Sequence, residues 1–384
     1  MANVKPSNVG GKVVSQLSTE HNLESNESVH KKLSQLVLDN CVSKISNTAS
    51  ASCGSLEIND FSISFGIAVN GHSEREGVYV KIPKADLFLR GEGGRKDILP
   101  LSDADRKLAE AEYHSLTHLS QYWRSEDIRV SFVEPMGFLK DHNAIVTRRV
   151  YGRDFYQIYR KCDLLRRLWK RDKIDRAGDL LHRIGVALSR FHETSNRESA
   201  FKMEGIINKI EHYFLELKLL GIDRNFINDI KLKLNGFRNL ETPTYITRTL
   251  KGLDIRNVLI DGKGGLFILD PGKMKEDCRE ADIARFLVTC RILYWGSIAF
   301  FLQISPDYYY ERHFVHGYYG GHAGQSKLLD ALVIKELMKH WRMALLTLQV
   351  KPWPMFLKYA LKHTYINPFY KTHIATSVTK LLGG

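Results

Sequence analysis

The stretch from Asp254 to Gly272, Asp-Ile-Arg-Asn-Val-Leu-Ile-Asp-Gly-Lys-Gly-Gly-Leu-Phe-Ile-Leu-Asp-Pro-Gly, constrains the fold more than any other part of this sequence. Two short apolar runs, Val258 to Ile260 and Leu266 to Leu269, flank a turn-forming segment at Asp261 to Gly265, which predicts a β-hairpin. The hairpin has a chemical consequence. Asn257 opens its first strand and Asp270 closes its second, so the two side chains can face one cation. Asp254 precedes them on a polar loop. Phosphoryl transfer uses such a set: one Asp orients the attacking hydroxyl, while an Asn and a second Asp hold Mg²⁺ against the nucleotide phosphates. Taken alone, Asp270-Pro-Gly also reads as a plain turn, because Asp, Pro and Gly favour one.

The rest of the chain gives that hairpin a setting. Residues 1–50 are rich in Ser, Asn, Val and Lys and read as a mobile extension, with one amphipathic helix over His30 to Val42 carrying Leu33, Leu36 and Val37. Strand-like alternation runs from Leu56 to Lys81, with a turn at Asn70-Gly71. Val78 to Ile82 is a further strand, ended by Pro83. A Gly-rich excursion follows at Gly91 to Gly94. Ser102 to Leu119 predicts a helix capped by Ser102 or Asp103. Two more strands are expected at Ile128 to Leu139, broken near Pro135, and at Asn143 to Val150. Beyond Gly152 the pattern reads as helical throughout, apart from the hairpin. This order divides the chain into an extension (1–50), a sheet-rich unit with one helix (51–150) and a helical unit (151–384).

The same residues resemble those of the aminoglycoside phosphotransferases, within the protein-kinase-like superfamily. That family reads roughly H-G-D-x-x-x-x-N-x-L-x-D, then an apolar strand and I-D. Asn257, Leu259, Asp261 and Asp270 match it. Val78-Tyr-Val-Lys81 resembles the strand whose Lys contacts the nucleotide phosphates, and Glu112 the helix residue that pairs with that Lys. Ser62-Ile-Ser-Phe-Gly66 is similar to a degenerate Gly-rich loop, and Ile145 to Gly152 to the strand and hinge beside the adenine. Asp282 in Ala-Asp-Ile-Ala resembles the family's buried Asp that holds the catalytic loop, and Ala187 to His192 its helix ending in Leu-His. The resemblance spans about 56 to 320. It implies an α+β, two-lobed kinase-like fold with a small antiparallel-sheet lobe and a mainly helical lobe. It also implies ATP and Mg²⁺ as cofactors, with Lys81, Glu112 and Gly66 at the nucleotide, Asn257 and Asp270 at the metal, and Asp254 as the catalytic residue. Without that context Lys81 reads as a solvated strand lysine, Ser62 to Gly66 reads equally well as an ordinary strand, Glu110 rivals Glu112, and His192 and Asp282 read as structural.

One position departs from the pattern. The catalytic Asp should stand five residues before Asn257, where this chain has Gly252. Either Asp254 takes its place along an altered loop path that glycine permits, or the base is absent and the protein is a pseudokinase, a nucleotide-binding regulatory module.

Composition narrows the partners. The chain has 384 residues, a net charge of +13 and no run of eighteen apolar residues; the nearest approach is Ile292 to Ile304, read as a buried helix. The N-terminus lacks an apolar signal core, and the five cysteines form no Cys-x-x-Cys pair, which together predict a reducing cytoplasm and neither zinc nor disulfides. Positive charge suits phosphate-bearing partners. No nucleic-acid-binding motif is visible, so nucleic acid is not expected. Arg160 to Arg176 holds eight Lys or Arg and three Asp among Leu164, Leu165, Leu168 and Trp169. It reads either as a helix packing its Leu face inward or as a peripheral contact with an anionic membrane at its inner face. Basic charge near the cleft suits a sugar or envelope-glycan acceptor of the lipopolysaccharide type. The aromatic residues Tyr308 to Tyr310, Phe314, Tyr318 and Tyr319 read either as a sugar-stacking surface or as core.

Overall fold

The structure, a computed structural model, describes residues 26–40, 50–58, 62–70, 76–85, 101–122, 124–125, 128–169, 176–295, 308–321 and 326–383. The expected turn at Asn70-Gly71 and excursion at Gly91 to Gly94 fall partly or wholly outside these residues. So do most of the N-terminal extension, the side chains of the basic stretch beyond Cys162, and the apolar run beyond Trp295.

The first part of the chain contributes α1 (Asn26–Asn40), β1 (Ser50–Cys53), β2 (Glu57–Ile58), β3 (Ser62–Asn70), β4 (Glu76–Pro83), α2 (Asp103–Tyr122), β5 (Arg124–Ser125), β6 (Val130–Phe132), β7 (Pro135–Leu139) and β8 (Ala144–Arg148). Strands β1, β3, β4, β8 and β7 form an antiparallel sheet in that order, with β2 paired to β3. Alternating residues of β3 and β4, Ile63, Phe65, Val78, Val80 and Ile82, are buried on one face, as a period of two requires. Val29, Leu33 and Val37 of α1 cover them, so the amphipathic helix exists, shifted a turn toward the N-terminus. Lys81 lies toward the end of β4, the central strand of the sheet, opposite Ser64 of β3 and Ile145 of β8.

From Gly152 the chain leaves that sheet. It forms β9 (Gly152–Asp154), α3 (Phe155–Trp169), α4 (Arg176–Glu193), β10 (Arg197–Lys202), α5 (Met203–Leu219), α6 (Arg224–Asn235), β11 (Glu241–Leu250), β12 (Val258–Asp261), β13 (Leu266–Ile268), β14 (Met274–Cys278) and α7 (Glu280–Trp295). Then come α8 (Tyr309–Tyr319), α9 (Lys327–Val350), α10 (Met355–Leu361), a π-helical turn (Lys362–Ile366) and α11 (Asn367–Gly383). One core runs through this half, from Leu181 and Leu188 of α4 to Phe286 of α7, Phe314 of α8 and Trp341 of α9. Helices α4 and α8 touch backbone to backbone. A Cβ at Gly185 would stand 2.3 Å from the Phe314 carbonyl oxygen, and only glycine admits that approach. Tyr310, Phe314 and Tyr318 are buried in this core, so half of the aromatic cluster is interior packing, while Tyr308, Tyr309 and Tyr319 are half-buried.

Three sequence expectations are corrected here. The helical half carries more strand than the hairpin: β10, β11 and β14 form their own three-stranded antiparallel sheet. The segment expected as one broken strand at Ile128 to Leu139 serves two sheets, because β6 runs parallel to β13 of the hairpin while β7 joins β8. Gly66 is not in a loop. It sits within β3 opposite Tyr79, its carbonyl accepting from the Gly54 amide at 2.8 Å, and the Arg149 guanidinium fills the space where a side chain would be.

Candidate active site

The hairpin forms as predicted, with Val258 opposite Ile268 and Ile260 opposite Leu266. At its open end the Asn257 carbonyl accepts from the Leu269 amide at 2.8 Å, which brings the two ends together. The Asp270 carboxylate has two partners. One oxygen accepts from the Gly272 amide at 2.9 Å, and the other meets the Lys81 ammonium at 2.6 Å. Lys81 also reaches Glu112 of α2 at 2.7 Å. A lysine on the first sheet therefore bridges a carboxylate on α2 and another beyond the hairpin.

Helix α2 is fixed for this role at both ends. At its start Ser102 and Asp105 exchange side chain-to-amide hydrogen bonds, each at 3.1 Å, an arrangement that satisfies the free amides of a helix N-terminus. Asp105 also accepts from the Ala85 amide at 2.8 Å, tying the helix to the end of β4. Farther along, the Ser115 hydroxyl accepts from the Met274 amide at 3.0 Å, and His118 lies 2.6 Å from the Arg248 guanidinium. Burial, and then the Arg248 charge, lower the His118 pKa. Ser115 and His118 were not legible as site residues. A serine and a histidine on a helix carry no sign of which loop they will hold.

The triad's electrostatics follow from its enclosure. Burial opposes the charge on Lys81, but Asp270 and Glu112 outweigh it and hold the ammonium above its ordinary range. Glu112 is the opposite case: burial, reinforced by Asp270, pushes its carboxyl up to about 7 against the pull of Lys81. Such a group stabilises the fold fully below its unfolded value of 4.5, and that contribution is lost as pH rises through about 7. We expect the unfolding free energy of the wild type to fall between about pH 5 and about pH 8 more steeply than that of Glu112→Gln. Denaturant melts at the two pH values check this; parallel pH profiles for both proteins would contradict it.

The loop preceding the hairpin is held from below. Asp282, fully buried, accepts from the Leu250 amide at 2.7 Å and lies 3.2 Å from His192, whose other ring nitrogen is 2.6 Å from the Tyr318 hydroxyl. Both side chains thus fix the loop's start, as the structural reading of them expected. Gly252 then passes against the turn after the hairpin. Its amide donates to the Pro271 carbonyl at 2.8 Å, and its own carbonyl accepts from the Asn257 carboxamide at 3.1 Å. A Cβ on Gly252 would lie 2.5 Å from the Asp270 carbonyl oxygen and 2.6 Å from the Gly272 nitrogen. Backbone occupies the place of the expected catalytic side chain.

Asp254 does not lie free either. Its carboxylate accepts from the Arg256 amide and Nε, both at 2.9 Å, and from Arg256 Nη2 at 2.5 Å. These bonds raise the Arg256 pKa despite partial burial, and its electrostatic surroundings include Tyr156 of α3 and Tyr370 of α11. His340 of α9 also lies within reach of Asp254 and Arg256; burial, with Lys339, lowers it to about 4. The structure brings Lys81, Glu112 and Asp270 together, places Asn257 at the same end of the hairpin, sets Asp254 against Arg256 and leaves Gly66 in its strand.

The donor set can be tested against a cation. Mg²⁺ prefers oxygen ligands, keeps several waters, and is commonly held by one or two carboxylates plus substrate phosphates. Asp270 supplies a carboxylate, and Asn257, with its amide nitrogen on Gly252, has a carboxamide oxygen that accepts from no partner among the described residues. Among the described residues no cluster of three or more His, Cys, Asp or Glu forms a metal cage. Two protein oxygens fit a cation that fills the rest of its coordination from outside the protein.

No protein-family model matches the sequence, and no curated protein matches it. Solved structures do match the fold. An ethanolamine kinase of Plasmodium vivax aligns over 92% of this chain and 89% of its own, with a TM-score of 0.50 at 12% identity. The choline kinase LicA of Streptococcus pneumoniae aligns over 92% and 100%, with a TM-score of 0.47 at 10% identity. The aminoglycoside phosphotransferase APH(4)-Ia aligns over 91% and 98%, with a TM-score of 0.49 at 11% identity. At such identity the match to the ethanolamine kinase shows the fold: α+β, two-lobed and protein-kinase-like, as the residue order implied.

Proposed function

We propose that this protein is an ATP- and Mg²⁺-dependent phosphotransferase that phosphorylates a hydroxyl of a sugar or glycan. The observation that carries the proposal is the Lys81 ammonium bridging Glu112 and Asp270, 2.7 and 2.6 Å away. It joins the two halves of the fold at the point where nucleotide phosphates would lie. In this reading Lys81 contacts the phosphates, Glu112 positions Lys81, and Asp270 and Asn257 would hold Mg²⁺. The metal would supply charge neutralisation on the transferring phosphoryl group. The matching ethanolamine kinase is, by its name, a kinase of a small alcohol.

Asp254 would orient the acceptor hydroxyl once Arg256 lets go of it. The exposed Arg256 guanidinium, together with the basic stretch from Arg160 to Arg176, favours an anionic acceptor of the lipopolysaccharide type. An anionic group on the acceptor would compete for Arg256 and free the Asp254 carboxylate. A second reading is favoured by the filled space at Gly252 and the Arg256 contacts on Asp254: a nucleotide-binding module without efficient transfer.

Incubation with labelled ATP, Mg²⁺ and fractionated envelope glycans distinguishes them. We expect transfer by the wild type, a loss of about 10²- to 10⁴-fold in Asp254→Ala, and in Arg256→Ala a raised acceptor KM with an unchanged KM for ATP. Full activity in Asp254→Ala would remove Asp254 from the mechanism. Nucleotide binding without transfer to any fraction would establish the second reading.

A further inference from the structure

An apolar surface on α10 has no role in the site. Helix α10 has no buried residue, yet its sequence, Met-Phe-Leu-Lys-Tyr-Ala-Leu, is largely apolar. Met355 is 81% exposed, Phe356 76% and Tyr359 65%, and Val350, Trp353 and Leu357 just before or beside them are also exposed. Scattered single apolar residues on a surface are ordinary, but a contiguous group marks a contact site. The patch also extends beyond one helix. The Lys362 ammonium donates to the Leu220 carbonyl at 2.8 Å, which ties in the end of α5, where Leu219 is 88% exposed.

Charge decides among the surfaces that could cover it. From Leu337 to Gly384 the sequence contains no Asp or Glu, while Lys351, Lys358 and Lys362 flank the exposed apolar side chains. On neighbouring elements Glu216 is already paired with Arg342 at 2.8 Å, and Asp223 lies 3.9 Å from Lys371. A Trp, a Tyr and large apolar side chains beside the exposed Lys351, with Lys358 and Lys362 each donating one hydrogen bond to a backbone carbonyl (Gln349 and Leu220) and no facing carboxylate among the described residues, fit the boundary of an anionic bilayer: aromatic rings lie at headgroup depth, apolar side chains enter the acyl region and the remaining ammonium hydrogens meet the lipid charge. A second copy of this chain would set like charges against one another. None of the described helices is long and apolar enough to cross a membrane, so the contact is a peripheral one.

We propose that the surface formed by Trp353, Met355, Phe356 and Tyr359, with Lys351, Lys358 and Lys362, docks this protein onto an anionic lipid surface. The site differs from the basic stretch at Arg160 to Arg176 and does not depend on the phosphotransfer reading. The helical run that carries it continues through the π-helical turn into α11, which brings Tyr370 near Arg256.

Full-length protein is sedimented with vesicles of phosphatidylcholine alone and with vesicles containing about one third phosphatidylglycerol. We expect binding only to the anionic vesicles, weakened by salt. Met355→Ser combined with Phe356→Ser should reduce it about tenfold or more. Both side chains are exposed, so the melting temperature should not change. Brominated lipid should quench the wild type's tryptophan fluorescence, and Trp353→Phe should remove most of that quenching. The proposal is overturned if neither vesicle binds, if the double variant binds as the wild type does, or if the wild type is a dimer that the double variant dissolves. That last result would assign the patch to a second copy.

Discussion

Gly252→Asp, the substitution that would place an acid five residues before Asn257, is expected to destabilise the protein and to yield no gain in transfer. The new Cβ would meet three backbone atoms: the Asp270 oxygen at 2.5 Å, the Gly272 nitrogen at 2.6 Å and the Pro271 carbonyl carbon at 2.8 Å. None belongs to a flexible side chain that could swing away. Gly272 is itself at φ 61, a conformation that suits glycine, so the turn has little room to yield. Overpacking of this kind costs roughly 1–3 kcal/mol. Loss of the Gly252-to-Pro271 hydrogen bond adds to it, so about 3 kcal/mol is the expected scale. Because the clash begins at Cβ, Gly252→Ala should cost a similar amount. Denaturant melts measure the cost, and the transfer assay shows whether anything was gained. A Gly252→Asp protein as stable as the wild type and more active would show that the loop moves freely, and that the absence of an acid there is incidental.

How much of this was legible in the sequence can be argued from single residues. The hairpin was, because alternating apolar residues around Asp261 to Gly265 are a local signal and pairing between near neighbours needs nothing else. The meeting of Lys81, Glu112 and Asp270 was legible only through the order of motifs, since no periodicity links positions so far apart. The strand β11 was missed: Thr244 to Leu250 is rich in β-branched residues, but its partners β10 and β14 are separated from it by two helices on one side and the hairpin on the other. The parallel pairing of β6 with β13 is likewise a long-range fact. At Gly252 the sequence showed a missing acid and suggested a flexible path. The structure shows a glycine required by close backbone approach, which no local pattern announces. The contacts of Arg256 with Asp254 lie in the same class: two residues of opposite charge, two positions apart, face each other only because a short helical turn folds them so.

Lys81→Met should have the largest effect on ligand binding. It removes the charge that faces both carboxylates and that would meet the nucleotide phosphates. Glu112, already pushed up to about 7, loses the one partner that holds its carboxyl down and should take up a proton more readily still. A charge-assisted hydrogen bond to phosphate is worth roughly 1.5–3 kcal/mol, so ATP affinity should fall roughly tenfold to a hundredfold or more. Asp270→Asn should lower affinity in a different way, by abolishing the dependence on Mg²⁺. Asp254→Ala should leave ATP affinity within about twofold, because its carboxylate is engaged by Arg256 and not by the triad. Calorimetric titration of ATP into these four proteins, with and without Mg²⁺, is therefore the most direct test of the site. The account predicts Mg²⁺-dependent binding by the wild type and Asp254→Ala, weak binding by Lys81→Met, and weak, metal-independent binding by Asp270→Asn. Failure of the wild type to bind, or binding that neither Lys81→Met nor Asp270→Asn alters, would contradict it.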